Sequence, residues 1–171
     1  MTEPSLRPAK ASDASSLAAL SLEVWIGTYL RQGISAHFAD HVLADFTAAR
    51  MLDRIKDERQ TLIVSQNRDG IDGYIRLLRD RPDPVAGDHQ TEVATLYVQP
   101  RHHGRGLGRA LLHAGMEAAR EDGASSLWLS TNSENTPAIA FYLAQGFSRI
   151  GTSDFRIDDQ AYQNDVFARG L

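Results

Sequence analysis

The chain has 171 residues, 42% of them hydrophobic, and contains no cysteine. A chain of this length is expected to form a single domain, residues 1–171, with a sizeable core. The lack of cysteine excludes disulfides, thiolate metal sites and a cysteinyl-acyl intermediate, while a net charge of −4 argues against a nucleic-acid partner and is compatible with a cationic one.

The N-terminal residues, Met-Thr-Glu-Pro-Ser-Leu-Arg-Pro, lack the charged head and apolar run of a signal peptide. No stretch of the sequence is long and apolar enough to predict a membrane-spanning helix. The expected location is therefore cytoplasmic, without a membrane partner.

The N-terminal half predicts helices and a hairpin. Asn67-Arg68-Asp69-Gly70 is a hairpin signal between two β-rich runs. The predicted elements are a strand over 5–8, a helix capped by Ser12-Asp13 and ending before Gly33, helices over 35–46 and 47–57, and strands over 60–66 and 71–79.

The C-terminal half alternates strands and helices. A strand followed by a glycine loop and a helix predicts a parallel strand pair, while the hairpins predict antiparallel pairs, so we expect a mixed α/β sheet with helices on both faces. The predicted elements are a loop over 80–90 that could line a site, strands over 91–98, 127–131, 147–152 and 165–169, a helix over 108–122 ending at Gly123, and a helix opened by Thr136-Pro137 and ended by Gly146.

Three alternating glycines, Gly104, Gly106 and Gly108, stand between the strand over 91–98 and the following helix. Alternating glycines let the backbone N–H groups approach a ligand, and the helix start adds unpaired N–H groups and a positive dipole end. This pattern predicts a pyrophosphate site. A Walker loop is excluded because Arg-Ala follows Gly108, and the spacing also differs from the G-x-G-x-x-G of dinucleotide folds.

The same stretch resembles the acetyl-CoA loop of the GCN5-related N-acetyltransferase (GNAT) family, in which a strand and a proline precede Gln/Arg-x-x-Gly-x-Gly/Ala and a helix. Arg101-x-x-Gly104-x-Gly106 matches literally. Counting back from Gly106 and Gly108 instead places His103 at the Gln/Arg position, and we favour this register because it leaves the proline where the family has it.

A second motif resembles the same family. Residues 135–147, Asn-Thr-Pro-Ala-Ile-Ala-Phe-Tyr-Leu-Ala-Gln-Gly-Phe, keep every position of its N-x-x-A-x-x-F/L-Y-x-x-x-G-F signature. The resemblance implies a GNAT-like, mostly antiparallel sheet of about seven strands and an acetyl-CoA-dependent N-acetyltransferase.

The resemblance also implies which residues bind acetyl-CoA. The backbone of one strand would pair with the pantetheine arm, the glycine loop would hold the pyrophosphate, and Asn135 would contact the cofactor or hold the loop beneath it, although a helix-capping Asn would look the same in the sequence. The remaining residues expected to bind the cofactor are Leu96, Tyr97, Val98, His103, Gly104, Arg105, Gly106, Leu107, Gly108 and Arg109.

Two catalytic residues follow from the resemblance. Glu92 matches a glutamate that can take the amine proton directly or through water, and Tyr142 matches the general acid that protonates the departing thiolate. Taken by themselves, Glu92 could be an ordinary polar residue at a strand edge and Tyr142 a packed aromatic. His102-His103 is not interpreted as a metal site, because adjacent loop residues rarely chelate together, and no metal is predicted.

The C-terminal residues 151–165 are similar to the tail of bacterial spermidine/spermine N-acetyltransferases, although Asn132 and Ala94-Thr95 depart from that group. The first candidate acceptor is therefore a small-molecule primary amine such as a polyamine. The acids of 154–165, with Asp80, Asp83 and Asp88, are expected to set a negative field for it. The alternatives are a protein or peptide amine and a non-catalytic acetyl-CoA-binding regulatory module; the oligomeric state is open, with a homodimer among the options.

Overall fold

The computed structural model describes residues 5–30 and 32–171, so residues 1–4 of the stretch considered for a signal peptide lie outside the described residues. The strands within the described residues are β1 (Ser5–Pro8), β2 (Gln60–Gln66), β3 (Ile71–Leu78), β4 (Glu92–Val98), β5 (Ser126–Asn132), β6 (Ser148–Ile157) and β7 (Gln160–Gly170). The α-helices there are α1 (Ala14–Tyr29), α2 (Ala36–Asp45), α3 (Ala48–Lys56), α4 (Leu107–Glu121) and α5 (Thr136–Ala144). None of these helices combines the length and apolar character needed to cross a membrane.

The seven strands form one mixed sheet in the order β1-β2-β3-β4-β5-β7-β6. The pairs β1–β2, β5–β7 and β6–β7 are antiparallel, whereas β4 and β5 run parallel with Glu92 opposite Trp128. In the sequence β4 precedes α4 and β5 follows it, so the helix forms the crossover connection that a parallel pair requires. The expected mixed, mostly antiparallel sheet of about seven strands is therefore confirmed.

The chain divides into two compact units, one formed by Met1–Arg76 with Thr95–Gly115 and the other by Leu77–Ala94 with Met116–Leu171. The expectation of one domain over residues 1–171 stays a prediction.

The first unit has its core between α1, α3 and the strands β2 and β3. The helical spacing of apolar residues in α1 places one side of that helix against the sheet residues. Ser21 donates to the Leu17 carbonyl, so its oxygen is left to accept the hydroxyl of the fully buried Tyr74, with both distances 2.7 Å. The buried apolar residues of this cluster include Leu17, Leu20, Val24, Met51, Leu62, Val64 and Tyr74.

The second unit is built on the hairpin of β6 and β7, which is longer than predicted. The sequence predicted strands only over 147–152 and 165–169, but the pairing continues to Ile157 opposite Gln160 around a two-residue turn. Asp158 in this turn has φ 53°, a left-handed conformation that Asp tolerates better than most residues. The outer arms are largely exposed, but Phe155 and the buried Ile157 alternate with charged residues in β6, which is a short strand signal that the prediction did not use.

Gly73 in β3 lies where the first unit is tightly packed. A Cβ atom at this position would be 3.0 Å from Leu111 Cδ1, 3.0 Å from the Tyr97 carbonyl oxygen and 3.3 Å from Val98 Cγ2. The absence of a side chain therefore lets α4 pack closely against β3 beside the end of β4.

We expect Gly73→Ala to lower the free energy of unfolding by about 1–3 kcal/mol, because the methyl group meets backbone as well as side-chain atoms. Denaturant titration measures the change. Gly27→Ala is the control: a Cβ at that exposed helical position meets nothing within 4 Å, and alanine should stabilise α1 by about 0.5–1 kcal/mol. Equal stability of the two variants would contradict the packing assigned to Gly73.

Candidate active site

The loop after β4 is fixed at its beginning by backbone bonds. The Gln99 N–H donates to the Asp72 carbonyl at 2.9 Å, and the His102 N–H donates to the Gln99 carbonyl at 2.9 Å in a single 3₁₀ turn. His103 Nε2 lies 2.9 Å from the Val98 carbonyl oxygen, which can only accept, so Nε2 carries the proton of this bond. The His103 side chain therefore ties the loop back to the end of β4.

Glycines shape the part of the loop that leads into α4. Gly104 and Gly106 have φ of 75° and 79°, and a Cβ at either position would meet no atom within 4 Å. These glycines are therefore required by backbone conformation, and the space beside them is open to a ligand.

The residue before helix α4 is Gly106, which has no side chain with which to cap the helix. Its first intrahelical bond runs from the Ala110 N–H to the Gly106 carbonyl at 3.0 Å. The N–H groups of residues 106–109 precede this bond and have no acceptor within the helix. Because Gly106 has no side chain to cap them, they remain available to an anion at the positive end of the helix dipole. The exposed Arg105 and Arg109 add positive charge, so the loop fits a pyrophosphate.

The strand before the loop holds the other residues expected to bind the cofactor in the first unit. Val98 is buried, and Leu96 and Tyr97 are half-buried. The Tyr97 ring packs edge-on against Tyr74 and Phe46, with centroids 5.9 and 6.4 Å apart. This packing engages the Tyr97 ring, so the strand could bind an extended ligand through its backbone.

Glu92 begins β4 and belongs to the second unit. Its side chain is 18% exposed, and its Oε2 lies 3.8 Å from Nε of Arg81, whose side chain is 63% exposed. Arg81 comes from the loop between β3 and β4, and its carbonyl accepts the indole N–H of Trp128 at 2.7 Å. The structure thus places the exposed guanidinium of Arg81 beside Glu92, the predicted base.

Asp83 organises this loop, which is a correction to the sequence-based expectation. Its buried carboxylate accepts the N–H groups of Val85, Ala86 and His89 at 2.9–3.0 Å. Burial raises the pKa of Asp83, but these backbone donors outweigh it and hold the pKa well below its usual value. Asp83 was expected to contribute to a negative field for the acceptor, but its charge is satisfied inside the loop instead.

The loop is also attached to β5 and β6. His89 Nδ1 lies 2.8 Å from Ser126 Oγ, and a Cβ on Gly151 would be only 2.8 Å from Val85 Cγ2. The exposed Asp80 and Asp88 therefore belong to a loop that packs against β6, one of the two strands of the β6–β7 hairpin.

Asn135 and Tyr142 lie at opposite ends of α5 in the second unit. Asn135 Oδ1 accepts the Ala138 N–H at 3.3 Å, so its side chain caps the helix. The half-buried Tyr142 ring packs edge-on against Phe141 and Phe147, with centroids 5.2 and 5.8 Å apart. Asn135 thus acts as a helix cap and Tyr142 as a packed aromatic, which are the structural roles that the sequence left open for them. Their contacts with substrates stay predictions.

The structure brings the glycine loop together with Leu96, Tyr97 and Val98 in the first unit, and it places Glu92, Asn135 and Tyr142 in the second. Sequence reasoning missed Arg81 and Trp128. No motif marks these two residues, because the hydrogen bond between them joins positions 47 residues apart. Across the described parts of the chain, no three His, Cys, Asp or Glu residues are grouped as a metal site.

Comparison with known proteins identifies the family. The sequence model described as Acetyltransferase (GNAT) family matches residues 26–147. The chain belongs to the GNAT acetyltransferase family. An uncharacterized N-acetyltransferase of Mycobacterium tuberculosis is 30% identical to this GNAT protein over 160 residues, covering 94% of this chain and 99% of the relative. Streptothricin acetyltransferase of Streptomyces lavendulae is 36% identical over 78 residues, covering 46% of this chain and 39% of the relative.

Solved structures share the fold of this GNAT protein. The PaiA N-acetyltransferase of Thermoplasma acidophilum in complex with coenzyme A aligns with a TM-score of 0.80 and 16% identity, covering 99% of this chain and 100% of that one. YncA of Salmonella typhimurium with its cofactor acetyl-CoA gives a TM-score of 0.68 and 20% identity, covering 99% and 95%. The protein is a GNAT-type N-acetyltransferase, and acetyl-CoA is its co-substrate.

We expect Gly106→Asp to abolish acetyl-CoA binding, because a carboxylate would occupy the open space beside the loop and repel the pyrophosphate. Titration calorimetry measures the affinity, and circular dichroism confirms folding. Gly123→Asp is the matched control, since Gly123 has a similar φ of 85° and equally open space after the other end of α4. Unchanged affinity in folded Gly106→Asp would refute the placement of the pyrophosphate.

Proposed function

We propose that this GNAT enzyme transfers acetyl directly to a primary amine of a small molecule, with a polyamine as the first candidate acceptor. The observation that carries the acceptor proposal is the acidic surface of the second unit. Its exposed acids are Asp80 and Asp88 of the β3–β4 loop and Asp154, Asp158 and Asp159 of the β6–β7 hairpin. This group of five residues is named the acidic surface below.

Two further facts support a small-molecule acceptor. The loop and the hairpin touch at Val85 and Gly151, so the acids belong to adjoining segments. The name of the relative streptothricin acetyltransferase gives a small molecule as its acceptor. Asp165 is excluded from the acidic surface because it pairs with Arg149 at 2.9 Å and accepts from Ser133 at 3.0 Å.

The cofactor roles follow from the loop. The N–H groups of residues 106–109 would bind the pyrophosphate with Arg105 and Arg109 beside it, His103 would hold the loop to β4, and the backbone of Leu96, Tyr97 and Val98 would pair with the pantetheine arm. Asn135 would act by fixing the start of α5.

Glu92 would act as the base, directly or through water. An alkylammonium has a reference pKa of about 10.4, so the attacking amine must lose a proton near neutral pH. Arg81, 3.8 Å from Glu92, is a cation on an exposed side chain. A cationic acceptor can replace Arg81 beside the same carboxylate, which would bring the ammonium to the group that deprotonates it.

Tyr142 would act as the acid. The amine nitrogen forms a bond to the thioester carbonyl carbon, the carbon–sulfur bond breaks, and the Tyr142 hydroxyl supplies a proton to the thiolate. A phenol with a reference pKa of about 10 can protonate a thiolate whose thiol has a pKa of about 8.5, and the product carries an amide. Because the sequence lacks cysteine, the acetyl group has no thiol on the protein to which it could first be transferred.

A cytoplasmic location and a homodimer stay predictions. Release of free coenzyme A thiol upon addition of each amine of a panel tests the acceptor class, with lysine-containing peptides included to detect a peptide acceptor.

We expect Tyr142→Phe to lower kcat by about 10-fold to 100-fold while KM for acetyl-CoA stays unchanged, as for a group needed only when the thiolate leaves. Steady-state thiol release measures both constants. Phe141→Leu is the control, because it alters the packing against the Tyr142 ring and keeps the hydroxyl, and it should retain most of kcat. Equal loss in both variants would reduce Tyr142 to a packing residue.

We expect added salt to lower kcat/KM for spermidine more than for a monoamine such as butylamine, because charges separated by more than about 8–10 Å are screened at ordinary ionic strength. The double variant Asp158→Asn, Asp159→Asn should lose several-fold of the spermidine kcat/KM, and Asn is tolerated at the positive φ of residue 158. Asp69→Asn, in the exposed β2–β3 turn, is the control. Indistinguishable salt slopes for the two amines would exclude the polyamine.

A further inference from the structure

We propose that Arg169 is a positioning residue for Tyr142, acting through the C-terminal turn of α5. The inference rests on the proposed role of Tyr142 as the general acid. Arg169 lies near the end of β7, 27 positions after Tyr142 in the sequence, and belongs to neither of the motifs that identify the family.

The end of α5 is a compact turn centred on Tyr142. The Tyr142 carbonyl accepts the N–H groups of both Gln145 and Phe147 at 3.1 Å. Between them, Gly146 adopts φ 82° and donates to the Leu143 carbonyl at 3.0 Å. The Tyr142 carbonyl is therefore held by the turn that follows the helix.

Arg169 holds this turn from outside the helix. Its Nη1 donates to the carbonyl oxygen of Gln145 and lies 3.7 Å from Met116 Sδ. The last carbonyls of a helix have no intrahelical donor. A cation at this end also interacts favourably with the negative end of the helix dipole. Arg169 thus supplies both the missing donor and the favourable charge.

The guanidinium also contacts the turn directly. A Cβ on Gly146 would lie 3.6 Å from Arg169 Cζ and Nε, so the guanidinium fits beside the one residue of the turn that lacks a side chain. Phe147 follows immediately, is buried, and packs its ring against that of Tyr142. A shift of the turn would move this ring and the phenol that contacts it.

The sheet provides the fixed end of this arrangement. Arg169 pairs with Leu127 of β5, and the preceding Ala168 pairs with Trp128 of β5 and Ser148 of β6. The backbone that carries Arg169 is therefore set by ladders on both sides of β7. The Arg169 guanidinium links this fixed backbone of β7 to the end of α5 through its hydrogen bond to the Gln145 carbonyl. The guanidinium is planar and rigid, so little freedom is lost when the bond forms.

The test is a double-mutant cycle of Arg169→Met and Tyr142→Phe, read by kcat and by KM for acetyl-CoA. Methionine keeps an unbranched apolar side chain and removes the donor and the charge. We expect Arg169→Met to lower kcat about tenfold, since small misplacements of a catalytic group are costly, with KM for acetyl-CoA changed by less than about twofold. In the Tyr142→Phe background the same substitution should have no further effect on kcat.

Arg169→Lys should restore part of kcat, and it carries the same cycle if the methionine variant does not fold. Arg120→Met is the matched control, because Arg120 pairs with Glu117 on the surface of α4; it should leave kcat unchanged. Equal losses from Arg169→Met in both backgrounds, or no loss in either, would overturn the positioning role. Full kcat in Tyr142→Phe itself would instead refute the proposed acid, which distinguishes failure of the proposed function from failure of this inference.

Discussion

The start of α4 after Gly106, a residue without a side chain, is the constraint on which the proposed cofactor site depends. Most helices satisfy their first N–H groups with a Ser, Thr, Asp or Asn side chain. Here Gly106 supplies only a carbonyl, and a Cβ on Gly104 or Gly106 would meet no atom within 4 Å, so the space beside both glycines is open. In the free protein water can bind the first N–H groups of α4, and in the proposed complex the pyrophosphate would provide the acceptors instead.

In the second unit a buried charge, the carboxylate of Asp83, is satisfied by donors within the protein. Asp83 binds three backbone N–H groups of its own loop, and the loop in turn holds Arg81 beside Glu92. A buried carboxylate is stable only when such donors are present. The cation next to the proposed base is thus positioned by an acid that itself contacts no substrate group in the proposed reaction.

Features that depend on residues close together in the chain could be predicted from the sequence. The glycine loop, the start of α5 at Asn135 and the hairpin turn at Asn67 depend on residues close together in the chain, and each appears where it was predicted. The burial of Asp83 and the placement of Arg169 against Gln145 could not be predicted, because both depend on which distant segments meet. The outer arms of β6 and β7 are mostly polar, so the pairing between them defines their length more clearly than the short alternation at Phe155 and Ile157 does.

The irregularity in β6 lies in an edge strand, where the strand of another molecule could pair with the sheet. The pairing register shifts between Arg149 and Gly151, so Ile150 is an extra residue in a strand at the edge of the sheet. Bulges increase local twist and interrupt the regular row of N–H and C=O groups that a foreign strand would need. Arg149, Asp154 and Arg156 add charges along the same edge. Together these features disfavour the continuous strand addition that leads to fibrils, although the edge strand is ten residues long.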